Sequence, residues 1–200
     1  MALDAIAAKS LRVVSTAVAC ALAVLSVGCS ASCSVSVGGK KTRGTYSGHG
    51  VSFTIPDGWS RLKEMTKKVQ SGNEIWSEGF APASGSDLVS VTAYETNVTV
   101  TEANADSIRP EVKSWIENLL AGGDGTLVSG PTQISKAGMT GFRFETTFSS
   151  NSGEPLESTQ YTLWDGNTEY FIGCQHRSQG SYGDEIERGC ATIVDSFELT

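Results

Sequence analysis

Apolar and polar residues alternate with period two over Val51-Ser52-Phe53-Thr54-Ile55, which predicts a strand with one buried face. Pro56-Asp57-Gly58 ends that run with residues suited to a turn. The strand signal returns over Asn73 to Phe80 and over Leu88 to Tyr94, where Leu88, Ser90 and Thr92 oppose Val89, Val91 and Ala93. The period then changes. Ile108, Val112, Trp115, Ile116, Leu119 and Leu120 fall three or four apart, predicting an amphipathic helix with Thr101 or Asn104 as its cap and Gly122-Gly123 as its stop. Trp115, at that spacing, belongs to the core, and the apolar stripe requires a sheet to cover.

Downstream, Thr126 to Ser129 and Met139 to Ser149 read as strands, with Phe142, Phe144, Thr146 and Phe148 on one face of the second. The cluster Asn151 to Pro155 and the tighter Asp165-Gly166-Asn167 are turn signals. They make the strands Ser158 to Trp164 and Tyr170 to His176 return antiparallel, as a meander. A second helix, Tyr182 to Val194, carries Asp184, Glu185 and Glu187 in its opening turns, where carboxylates complement the helix dipole. Its Ile186, Cys190 and Ile193 share one side, and Ser196-Phe197-Glu198-Leu199 tucks against the body. The fold class that follows is α+β: a mainly antiparallel sheet with two principal helices packed against it. The segment Tyr46-Ser47-Gly48-His49-Gly50 reads as a loop.

The amino terminus follows other rules. Lys9 and Arg12 precede a mostly apolar run from Val13 to Val27 that closes on Leu25-Ser26-Val27-Gly28-Cys29, the order of an export signal. The run is too short for a comfortable transmembrane helix, which takes about 18 to 20 apolar residues. A cysteine directly after a small residue is the acceptor site of a bacterial lipoprotein, so Cys29 is the expected lipidation site and carries fatty acyl groups such as palmitate. Ser26 stands where that pattern usually has Leu, and Leu25 lies one residue further back. Cys20 and Cys33 fit the pattern less well, and secretion without lipid, cut near Gly28 or Ala31, is the alternative. The expected organisation is a signal peptide over 1–28, a flexible tether over 29–44 rich in small and polar residues, and one globular domain over 45–200.

Charge narrows the partners. The chain has 15 basic and 22 acidic residues; removing residues 1–28 takes Lys9, Arg12 and Asp4, leaving 13 and 21, a net of -8. Such a surface repels nucleic acid. The exception, Lys40-Lys41-Thr42-Arg43, either strengthens attachment to anionic headgroups or is the solubilising end of the tether. Of five cysteines, Cys174 and Cys190 fall in the globular part, and in an exported protein that pair reads as a disulfide. Zinc would require further ligands near them, so no metal or cofactor is expected.

Nucleophilic catalysis with serine needs a base. The only histidines are His49 and His176, one in a loop and one at a strand end, and neither belongs to a recognisable catalytic motif. Glu74, Glu78, Glu95, Glu145 and Glu157 lie on strands, where solvated faces are the simplest reading. The expectation is a protein that is not an enzyme. Among the aromatics, Trp76 and Trp164 sit beside polar residues near strand ends, which makes them the candidate binding surface.

The entry Val51 to Trp59, the helix around Trp115, the strand ending Tyr170-Phe171-Ile172-Gly173-Cys174 and the closing run Cys190 to Phe197 resemble the LpqN/LpqT-type lipoproteins of actinobacteria, which belong with the PsbP/Mog1-like fold. The resemblance spans roughly Thr45 to the end. It implies α/β/α-like layering and a non-catalytic binding or accessory role, since members of this fold bind proteins and attach to larger assemblies. The expected setting is the outer face of the cell membrane, with the lipid anchor in the bilayer and an envelope protein as partner. The alternative is a carrier that holds a small apolar ligand or lipid in a cleft between sheet and helix. A cavity lined by Phe142, Phe144 and Phe148 would favour the carrier, and a filled core would favour the binding module.

Overall fold

The computed structural model describes residues 44–63, 73–83, 85–122, 124–150 and 152–200. The proposed signal peptide, Cys29, Cys33 and most of the tether lie outside them. A seven-stranded sheet organises the rest, in the order β3(Ser60–Arg61), β4(Glu74–Ala81), β5(Leu88–Glu95), β9(Thr168–Arg177), β8(Pro155–Asp165), β7(Met139–Ser149), β6(Thr126–Lys136). Every described pairing within it is antiparallel. A second, three-stranded sheet has the order β1(Gly44–Gly48), β2(Val51–Ile55), β10(Glu198–Leu199). The helices are α1(Ala105–Ala121) and α2(Gly183–Asp195). The α+β class and the meander β7–β8–β9 are therefore as the sequence implies.

Two layers cover the large sheet, one on each face. Odd-numbered residues of β5, Val89, Val91 and Ala93, join Ile172 and Cys174 of β9, the aromatic residues of β1–β2 and the buried side of α2 in one core. Tyr94, Phe142, Phe144, Trp164 and Phe171 face the other way and pack with Val112, Ile116 and Leu120 of α1. Burying both faces explains why β4 and β5 are buried almost continuously along their lengths: a sheet between two layers needs no solvent-facing alternation.

Several expectations need correction. Gly44–Gly48 is a strand, not a loop, with His49 and Gly50 at the tip of its hairpin to β2. Both have positive φ, 54° and 77°, as a tight two-residue hairpin turn requires. Trp115 is only half-buried against the α1 core and Leu119 is exposed, because α1 lies along the β6 margin of the sheet and turns a narrow stripe inward. Asn104 does occupy the cap position, but its side chain makes no capping bond. It turns back instead: Thr101 N donates to Asn104 Oδ1 at 2.7 Å, and Asn104 Nδ2 donates to the Thr99 carbonyl at 2.9 Å.

Cys174 and Cys190 are joined by a disulfide, which staples α2 to β9. Closing a loop across 16 residues stabilises the fold by about 3 kcal/mol in the chain-entropy account. Gly189 completes the seam. A Cβ there would stand 2.3 Å from the Trp59 ring, so only glycine lets α2 settle on the tryptophan that follows β2.

Candidate functional site

The two tryptophans expected at an exposed surface are both buried. Trp76 is 8% exposed, with the His49 ring stacked on it at 5.1 Å and Tyr170 at 6.4 Å; the hairpin tip folds over it. Trp164 is 4% exposed, edge-on to Phe142 at 6.2 Å in the core beneath α1. Their polar sequence neighbours misled because both faces of this sheet are covered: Ser77 beside Trp76 is itself buried, and Trp164 turns into the α1 core while Asp165 beside it is exposed.

Half-exposed functional groups gather elsewhere, on the α2-side face of β6, β7 and β8. Cross-strand register aligns Ser129 with Glu145 and Arg143 with Tyr161. Ser129 Oγ donates to Glu145 Oε2 at 2.8 Å, and Arg143 Nη2 donates to Glu145 Oε1 at 2.5 Å. The Arg143 guanidinium lies 5.9 Å from the Tyr161 ring centroid. The hydrogen bond from Ser129, and then that from Arg143, hold the Glu145 carboxyl below its ordinary range. The arrangement sets a guanidinium beside a phenol ring on a half-exposed face of the sheet. The signal lay in the sequence: Arg143 and Glu145 alternate with Phe142 and Phe144, so they point away from the α1 core.

Two ion pairs seat partly exposed arginines on buried carboxylates. Glu78 on β4, 2% exposed, receives Arg61 on both oxygens, with Nε at 2.5 Å and Nη2 on Oε1, and accepts the Tyr46 hydroxyl at 3.3 Å. Burial and the neighbouring Glu78 carboxylate push the Tyr46 hydroxyl up to about 12. Asp87, 3% exposed, receives the Arg177 backbone N–H at 2.8 Å and its guanidinium at 2.6 and 3.0 Å. Of the strand carboxylates singled out from the sequence, Glu78 and Glu145 accept from arginine side chains, Glu74 is half-buried, and Glu95 and Glu157 are exposed.

His49 lies at the hairpin tip. His176 places Nε2 3.8 Å from Glu187 Oε1 and Nδ1 3.2 Å from the Arg177 carbonyl. Among the described residues no group of three or more His, Cys, Asp or Glu is placed to hold a metal ion, and no helix is long and apolar enough to cross a membrane.

No family model matches the chain, and no curated protein sequence matches it. Solved structures do. The solution structure of cyanobacterial PsbP (CyanoP) from Synechocystis is similar with a TM-score of 0.54 at 14% identity, covering 82% of this chain and 95% of that one. The chain therefore has a PsbP-like α+β fold. LpqN of Mycobacterium tuberculosis, whose crystal structure is described as that of a protein involved in cell envelope biogenesis, is also similar: TM-score 0.49, 14% identity, 75% of this chain and 83% of that one.

Proposed function

We propose that this chain is a lipid-anchored envelope protein whose PsbP-like domain acts as a non-catalytic binding or accessory module on the outer face of the membrane. The observation that carries the reading is the pairing of an export-type amino terminus ending at Cys29 with a disulfide-stapled domain, since such bonds persist in oxidising compartments. The Ser129–Glu145–Arg143–Tyr161 ladder replaces Trp76 and Trp164 as the surface that meets the partner. A carrier role fits less well. Phe142 and Phe144 are fully buried in one cluster with Val112, Ile116, Leu120 and Trp164, and Phe148 is half-buried outside it, so the three rings do not line one common cleft.

The test is chemical cross-linking in intact envelopes of cells producing the acylated protein, wild type beside Arg143→Glu. The expected result is a discrete protein adduct that falls at least tenfold in the variant. An adduct pattern that Arg143→Glu leaves unchanged would remove the ladder, and recovery of lipid without any protein adduct would favour the carrier. Hydrolytic turnover abolished by His49→Ala or His176→Ala would replace both readings with an enzyme.

A further inference from the structure

Three carboxylates are buried among the described residues. Glu78 and Asp87 are ion-paired; Glu169, 1% exposed, has no hydrogen-bond partner on either oxygen. Register places it between Tyr94 of β5 and Trp164 of β8 on the α1 side of the sheet. The Trp164 indole N–H is likewise buried without an acceptor. Two adjacent polar groups in one cross-strand row are therefore sealed in without satisfaction, which is costly unless the carboxyl is neutral.

The seal is a strap. Residues 96–104 run from β5 to α1, and Val98, Val100 and Ala105 pack onto the same core as Tyr94 and Trp164. The strap is moored beside Glu169, at Asn167. Thr96 N donates to the Asn167 carbonyl at 2.8 Å, and Thr99 Oγ1 reaches Asn167 Oδ1 at 3.3 Å. The Asn104 side chain, turned away from its capping role, ties residues 99 and 101 together. These bonds are few, and those of Thr99 and Asn104 are exposed, whereas β8 and β9 hold Glu169 from below by a continuous ladder. If the row must take up water, the strap is the side that yields.

We propose that the strap of residues 96–104, with the first turn of α1, is a pH-operated latch: the neutral carboxyl of Glu169 keeps it closed, and loss of that proton lifts it from the Glu169–Trp164 row. Burial alone displaces Glu169, raising its titration to about 8. The charged and titratable groups on the surrounding elements include Tyr94 and Glu95 on β5, Glu74 on β4, Asp165 at the end of β8, Glu102 in the strap, and Asp106, Arg109, Glu111, Lys113 and Glu117 in α1, where Lys113 pairs with Glu117. Glu95, Glu102, Asp106 and Asp165 are exposed. Arg109 is held by Asp106 and Gln133. Among the described residues no cation is paired with Glu169; an ionised carboxylate there takes up water, and the latch opens on the alkaline side.

Amide hydrogen exchange on the oxidised full chain between pH 6 and 9.5, normalised to intrinsic rates, tests this. Protection of residues 96–105 is expected to fall at least tenfold between pH 7 and 9 while β8 and β9 keep theirs. Glu169→Gln should show no such fall, and Thr99→Val, which loosens the mooring, should shift the opening to lower pH. Wild-type strap protection that changes no more than that of Glu169→Gln would overturn the latch. So would loosening of β8 and β9 in step with the strap, which is global destabilisation, or an opening pH that Thr99→Val leaves unmoved.

Discussion

Replacing Glu169 with Gln is expected to raise the stability of the domain by about 4 kcal/mol at pH 8 and to leave it nearly unchanged below pH 4.5. The sign follows from linkage. Below the ordinary carboxylate value of 4.5 the side chain is protonated in both the folded and the unfolded chain. As the pH rises, the unfolded chain loses the proton while the folded one keeps it up to about 8, so stability is lost steadily across that interval and then levels off. Each pKa unit corresponds to about 1.4 kcal/mol, which sets the size. Urea unfolding at several pH values measures it directly: the wild type should lose stability from pH 5 to 8 relative to Glu169→Gln. Parallel curves would mean that Glu169 finds a partner or solvent in the folded protein.

Arg61→Ala should cost about 1 to 3 kcal/mol, the loss expected when a buried acceptor is left without its hydrogen-bond donor, with the half-exposed arginine already screened by water. The side-chain exposures are unequal, 46% for Arg61 and 3% for Glu78, so truncating the arginine leaves the carboxylate buried with only the Tyr46 hydroxyl. Neutralising that residue should relieve most of the penalty. The double variant Arg61→Ala/Glu78→Gln is therefore expected to be more stable than Arg61→Ala alone by about 2 kcal/mol, for the same reason that apolar or neutral replacements of both partners are tolerated. Equal stability of the single and double variants in chemical denaturation would show that Glu78 is not desolvated by the β1–β2 layer.

Local periodicity carried much of the fold. The strands at Val51, Leu88 and Met139, both helices, and the meteredness of the two turns around β8 were legible because each element has a period or turn residue of its own. The disulfide was legible for a different reason: only two cysteines remain in the body, and each falls on the inward side of its element. What the sequence could not show was the second covering layer. Gly44–Gly48 carries weak strand signal and becomes a strand by pairing with β2; the hairpin tip at His49 stacks on Trp76. Glu169 was equally hidden, since a glutamate after an Asp-Gly-Asn turn looks solvent-facing until register sets it between Tyr94 and Trp164. The Arg143–Tyr161 pair depends on the alignment of two strands across a hairpin, which the turn alone leaves free by a residue, and one residue moves a side chain to the opposite face.

The proposed function rests on Cys29 as the point at which the chain is held at the membrane. Mass spectrometry of the amino-terminal peptide from protein extracted out of native membranes is the most direct test of that account. The expected product begins at Cys29 and carries fatty acyl groups on its sulfur. A peptide that begins elsewhere, or a Cys29 with a free thiol in protein recovered from the cytosol, would contradict it.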